Sequence, residues 1–272
     1  MDYFKKILEK LKINKNKEDQ RFSNLYKMKI MREIELSSPF ISDFKLKEEN
    51  FNEEKIREQL QKIIPEKDHN LIDSIINDKK YYFPNNLTHE NGVFRDIDKG
   101  NLLDVVNGKK DGFKIPEHIF KTGVTKGLST MSHNHINGLV IPSKKDMLAI
   151  VSYQSKYNPI YSPNKTGFLT NNNVMKNERN WKKITAKYNN LIDNKNLEIE
   201  KLYPKKTANI KSNCSGDELK SKLEEDLYRP YFAKNQDNIS KEVNKMFKEN
   251  GFDLKLYIYY KKELMISDNY AK

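Results

Sequence analysis

The residues Ser132-His133-Asn134-His135, followed by Ile136 to Pro142 and then Ser143-Lys144-Lys145-Asp146, constrain the fold more than any other stretch of this chain. Only five histidines occur among 272 residues, and two of them stand here, one residue apart. At the end of a strand, side chains two residues apart share a face, roughly 6–7 Å apart along the backbone. Ser143 reads as a helix N-cap, with Asp146 three residues on as an acidic capping-box variant. Met147, Leu148, Ile150 and Val151 give the helix that follows an apolar face. The stretch therefore predicts strand, seven-residue loop, helix. The loop returns Asp146 toward the two imidazoles. Such a set can hold a metal ion and keep a fourth position for water, as in catalytic rather than structural zinc sites.

The surrounding chain divides by texture. Residues 1–80 read as helical. Phe4, Ile7, Leu8 and Leu11 form one apolar stripe, and Ile56, Leu60, Ile63 and Ile64 another that stops before Pro65. Asp68 is placed to cap a third helix carrying Leu71, Ile72, Ile75 and Ile76. Near Tyr81 the helical period fades. Gly92–Ile97 and Leu102–Val106 read as strands joined by Asp98-Lys99-Gly100-Asn101, good hairpin chemistry. Pro116 to Phe120 opens a short helix, and Leu128 to His133 is the strand that reaches the histidines. A loop is predicted through Pro159 and Pro163, a helix over Asn180–Leu191 with the only Trp, Trp181, and a polar loop around Pro204 and Cys214. Leu219, Leu223 and Leu227 mark one helix, and Ile239, Val243, Met246 and Phe247 another, stopped by Asn250-Gly251. Phe252, Leu254, Leu256 and Ile258 alternate as a strand, with Leu264–Ile266 as its expected partner. The expected organisation is a helical region over 1–80, a metal-binding domain over 81–195, and C-terminal helices with a strand hairpin over 196–272.

Composition narrows the chemistry. The lone Cys214 forbids an intrachain disulfide and a thiolate cluster, so a metal site must draw on His and carboxylate. No apolar run approaches a membrane span, and Met1 to Lys6 lacks the apolar core of a signal peptide. A cytoplasmic protein with no membrane partner is the expectation, with assembly into a virus particle or a mobile element left open. Net charge is +12. That charge leaves nucleic acid open as a partner of the basic surface. However, acidic residues are interspersed and no long Lys/Arg block stands out, which favours a generally basic surface over a dedicated groove.

The spacing H-x-H-x7-S-x-x-D resembles the signature of the JAB/JAMM (MPN-type) metalloprotease fold, found in metal-dependent isopeptidases and RadC-type proteins. The string from Ser132 to Gly138, with Pro142-Ser143 and Asp146, looks most like the RadC-like and phage-associated branch. The signature covers fourteen residues and the domain it implies about Tyr81 to Leu191. The chain departs from the pattern at Ile136, where the family usually has Pro. The resemblance implies an α/β fold of the α+β type, a mixed sheet flanked by helices. It implies His133, His135 and Asp146 as ligands of Zn2+ and Ser143 as the hydroxyl that steadies an oxyanion. Ser143 is equally read as a plain N-cap. The family also needs a glutamate base on an upstream strand. Glu90, ahead of the strand–turn–strand unit, is the first choice, and Glu117 is the alternative. Neither His89 nor the isolated His69 and His118 is assigned a role.

Two functions follow. One is a zinc metallopeptidase or isopeptidase-like hydrolase acting on a protein or peptide substrate. The other is a catalytically weak or inactive module of the same fold, serving viral or mobile-element assembly or nucleic-acid binding.

Overall fold

The computed structural model describes residues 53–78, 89–108, 113–135, 138–162 and 165–260. The stripe at Phe4–Leu11, the transition near Tyr81, Ile136, Pro163 and the strand expected at Leu264–Ile266 lie outside them. The protein is a mixed α/β fold, one six-stranded sheet between two layers of helix.

Helices α1 (Glu53–Ile63) and α2 (Asn70–Asp78) form the thinner layer. Leu60, Ile64, Leu71, Ile72, Ile75 and Ile76 pack on Tyr157, Phe168 and Tyr259 of the sheet. Asp68 does not cap α2. It sits in a 3-10 turn (Glu66–Asp68), where its carboxylate accepts the Tyr157 hydroxyl at 2.8 Å and lies 3.5 Å from Lys156 Nζ. The second tyrosine tie, Tyr161 hydroxyl to the Ile75 carbonyl at 2.8 Å, fixes α2 to the same strand. Buried tyrosines need such partners, because an unpaired hydroxyl in an apolar layer costs about 1–3 kcal/mol.

Strands β1 (Asn91–Asp96) and β2 (Leu102–Asn107) form the expected hairpin. Its turn is organised by Asp96, whose carboxylate accepts N–H groups of Lys99, Gly100 and Asn101. Gly100 turns with φ +71, and a Cβ there would strike Leu71 at 2.1 Å. Helix α3 (Glu117–Lys126) leads into β3 (Leu128–Asn134), and α4 (Lys144–Ser152) crosses to β4 (Ser155–Tyr161). Strands β3 and β4 are the parallel pair of a sheet ordered β2-β1-β3-β4-β5-β6. A parallel pair needs such a crossover.

Strand β4 corrects the loop expected at Pro159. Pro159 lies within it, and the pairing to β3 passes from Tyr157 to Ile160, tolerating the missing N–H. The hairpin partner β5 (Lys165–Asn171) follows, also in the stretch read as loop. Pro there misleads because a strand interior rarely admits it.

The thicker layer holds α5 (Val174–Arg179), α6 (Trp181–Leu202), α7 (Pro204–Asn213), α8 (Gly216–Leu223), a π-helical turn (Glu224–Tyr228), α9 (Arg229–Lys234) and α10 (Gln236–Glu249). Helix α7 replaces the polar loop expected at Pro204 and Cys214. Pro204 takes the first helical position, where its missing N–H costs nothing, and Thr207 and Ile210 are buried. Asn250-Gly251 ends α10 as expected, with Gly251 at φ +67. Strand β6 (Leu254–Tyr260) then pairs with β5 along its whole length. The C-terminal segment thus completes the central sheet. Phe94, Met131, Leu169 and Leu256 of the sheet meet Ile119, Met147, Ile150, Ile184, Tyr188, Val243 and Phe247 in the main core.

Candidate metal centre

Strand β3 is buried over all seven residues because strands and helices cover both its edges and both its faces. Its sequence shows no apolar alternation, since neither face meets water. Antiparallel pairing sets Gly92 of β1 opposite His133. A Cβ at that position would stand 2.5 Å from the ring of Phe113, so the ring would have to shift; it packs 6.4 Å, centroid to centroid, from the ring of His133. Beyond the ladder, the Asn134 side chain accepts the Asn91 N–H at 2.6 Å and donates to the His89 carbonyl at 3.1 Å. The His135 N–H donates to the Tyr161 carbonyl of β4 at 2.7 Å. Both neighbouring strands therefore hold the backbone that carries the histidines.

Asp146 is held from the helix side. The Ser143 Oγ accepts the Asp146 N–H at 3.1 Å, and Asp146 Oδ2 accepts the Ser143 N–H at 2.7 Å, a complete capping box. The carboxylate then reaches both rings. His133 Nε2 lies 3.0 Å from His135 Nε2, 3.6 Å separates it from Asp146 Oδ1, and His135 Nε2 is 3.4 Å from Asp146 Oδ2. All three residues are buried. A tetrahedral ion with nitrogen and oxygen bonds of about 2.0–2.1 Å requires ligand-to-ligand edges of about 3.3–3.4 Å. The two histidine–carboxylate separations are near that edge but end on different oxygens of Asp146; with one ligand atom taken from each residue, the three lie within 4.8 Å of one another. Asp146 Oδ1, 3.6 Å from His133 Nε2, is buried with no hydrogen bond from the described residues, and a metal bond would satisfy it. His133, His135 and Asp146 can hold a metal ion.

The charges follow from the geometry. Burial lowers the pKa of His133 more than Asp146 raises it. Burial also pushes His135 down, but contact with Asp146, the charge of Glu90 and the Leu139 carbonyl outweigh it, and His135 rises. With their Nε2 atoms 3.0 Å apart, the two rings cannot both carry a proton there. Asp146 is held well below the carboxylate range: burial opposes ionisation, and the two histidines overcome it. Its deprotonated state is the one a metal requires.

Glu90 is buried directly ahead of β1, whose pairing with β3 reaches as far as Gly92 and His133. Its charge acts on His135 and on Arg229 of α9. Glu117 stands apart: it is exposed at the start of α3 and pairs with Lys121 at 3.1 Å. Ser143 caps α4. His69 bonds the Ile64 carbonyl at the end of α1, and His118 lies 3.1 Å from the Asp104 carboxylate on the surface.

Three residues at the site carry no signal in the sequence. Gln236 of α10 bonds the loop after His135, Tyr188 of α6 donates to the Pro142 carbonyl, and Arg229 feels the charge of Glu90. Each comes from the helical layer, far along the chain, in an ordinary amphipathic context. Among the described residues no helix is long and apolar enough to cross a membrane. Compared with protein-family models, with curated proteins and with solved structures, the chain matches none.

Proposed function

We propose that the protein is a zinc-dependent hydrolase of peptide or isopeptide bonds, organised as a JAB/JAMM-like metalloprotease. The observation that carries this reading is the buried group of His133, His135 and Asp146, which offer one ligand atom each within 4.8 Å of one another. Two imidazoles and one carboxylate favour zinc over the oxygen-loving Mg2+ and Ca2+, and three protein ligands keep one position open. Bound zinc supplies an acidified water and a polarised carbonyl. Glu90, buried and close enough for its charge to act on His135, would take the proton from the attacking water and return it to the leaving amine. Ser143 keeps its hydroxyl proton after accepting the cap, and that proton is available to an oxyanion at the start of α4. The carbonyl substrate would be part of a protein or peptide.

Metal analysis of the purified protein tests the reading. About one zinc per chain is expected, lost in His135→Ala. Glu90→Gln should retain zinc and lose hydrolysis across a panel of peptide and isopeptide substrates. A wild-type protein without zinc, or a Glu90→Gln variant that hydrolyses normally, would return the chain to the second reading, a scaffold for assembly or nucleic-acid binding.

A further inference from the structure

Between His135 and Ser143 the chain must place two ligands, yet the described part of this loop has no regular structure of its own. Gly138 turns at φ +78, where other residues are strained. What holds the loop comes from elsewhere. Gln236 opens α10 and is 1% exposed. Its Oε1 accepts the Val140 N–H at 2.8 Å, and its Nε2 donates to the Gly138 carbonyl at 3.0 Å and the Ala233 carbonyl at 3.1 Å. One side chain thus brackets Leu139 from both sides. The Leu139 carbonyl is the group that receives Nδ1–H of His135, at 2.9 Å. In the neutral ring that bond selects the tautomer with a bare Nε2, the atom that faces His133 and Asp146. Strand β5 closes the loop from behind: a Cβ on Gly167 would meet the Val140 carbonyl at 2.1 Å.

We infer that Gln236 is a positioning residue for His135. Through Gly138 and Val140 it fixes the Leu139 carbonyl, and through that carbonyl it sets the tautomer and direction of the His135 ring. The C-terminal helical segment is then an integral part of the metal centre, and its hold on His135 passes through the Gln236 amide. The inference rests on the metal reading for its purpose but not for its geometry.

A matched control lies on the same helix. Asn244 brackets Leu256 of β6 in the same manner, donating to its carbonyl and accepting its N–H, both at 2.7 Å. Gln236→Leu and Asn244→Leu therefore each remove a side-chain bracket from α10. Two readouts separate position from stability. The first is the imidazole 15N spectrum of metal-free protein, which reports the His135 tautomer. Wild type and Asn244→Leu should show the Nδ1–H form, and Gln236→Leu a mixture. The second is zinc titration, in which Gln236→Leu should weaken affinity about 10-fold while Asn244→Leu stays near wild type. If Gln236→Leu does not fold, Gln236→Glu replaces it, keeping the acceptor for Val140 and losing the donor to Gly138. An unchanged tautomer in the Gln236 variants overturns the inference. So does equal loss of affinity in the Gln236 and Asn244 variants. A wild type that takes up no zinc overturns the metal reading alone, and the tautomer measurement still decides the role of Gln236.

Discussion

Ser143 joins local structure to the candidate chemistry in one side chain. Its Oγ caps α4 and its backbone N–H orients Asp146, so helix start and ligand placement are one arrangement. Removing the hydroxyl in Ser143→Ala should cost about 1 kcal/mol of stability, the usual loss for a side-chain cap, read from the denaturant midpoint. Zinc affinity should fall only slightly, because the bond from the Ser143 N–H to Asp146 survives. If the hydroxyl also serves an oxyanion, turnover should fall about 100-fold or more, well beyond the stability effect. Glu90 and Glu117 show what a residue's sequence neighbourhood conceals. Both are glutamates near strand or helix starts, but the fold buries one where its charge acts on His135 and leaves the other paired with Lys121 at the surface.

At the scale of elements, the β1–β2 hairpin carries a pH-sensitive contact outside the metal centre. Burial alone would raise the pKa of Asp96, but the N–H groups of Lys99, Gly100 and Asn101 outweigh it and hold it below its ordinary value of 3.8. A carboxylate depressed on folding stabilises the protein above its unfolded pKa, and that contribution disappears as pH falls through the folded value. The hairpin should therefore loosen below about pH 4. Asp96→Asn should flatten that acidic limb, as followed by hydrogen exchange of the β1–β2 amides, while leaving zinc binding at neutral pH intact. The loop between β3 and α4 behaves differently. It has little local stability and relies on Gln236, Tyr188 and the bare backbone of Gly167 for its shape.

For the whole molecule, the two helical layers do different work. The α1–α2 layer contributes apolar burial and two tyrosine ties on the side of the sheet away from the histidines. Ile72 is 1% exposed within it. Ile72→Ala should cost about 2–5 kcal/mol in global unfolding. At temperatures where the variant remains folded, its zinc affinity should match wild type. The opposite layer carries the main core and also supplies the site with Gln236, Tyr188 and Arg229.

The sequence by itself determined the strand–loop–helix unit around the histidines. Strand alternation puts His133 and His135 on one face, and Ser143 with Asp146 starts the helix, all within fourteen consecutive residues. It likewise determined the β1–β2 hairpin and the periodic helices, because their signals are local. Only the tertiary structure decided that Pro159 lies inside a strand, that Pro204 starts a helix, and that β6 joins the central sheet. It alone brought ligand atoms of His133, His135 and Asp146 within 4.8 Å of one another, and it alone brought Gln236 to a loop 96 residues earlier. Those outcomes depend on burial and on hydrogen bonds between distant segments. Such bonds satisfy polar groups wherever packing happens to leave them, and no local pattern of residue types records that.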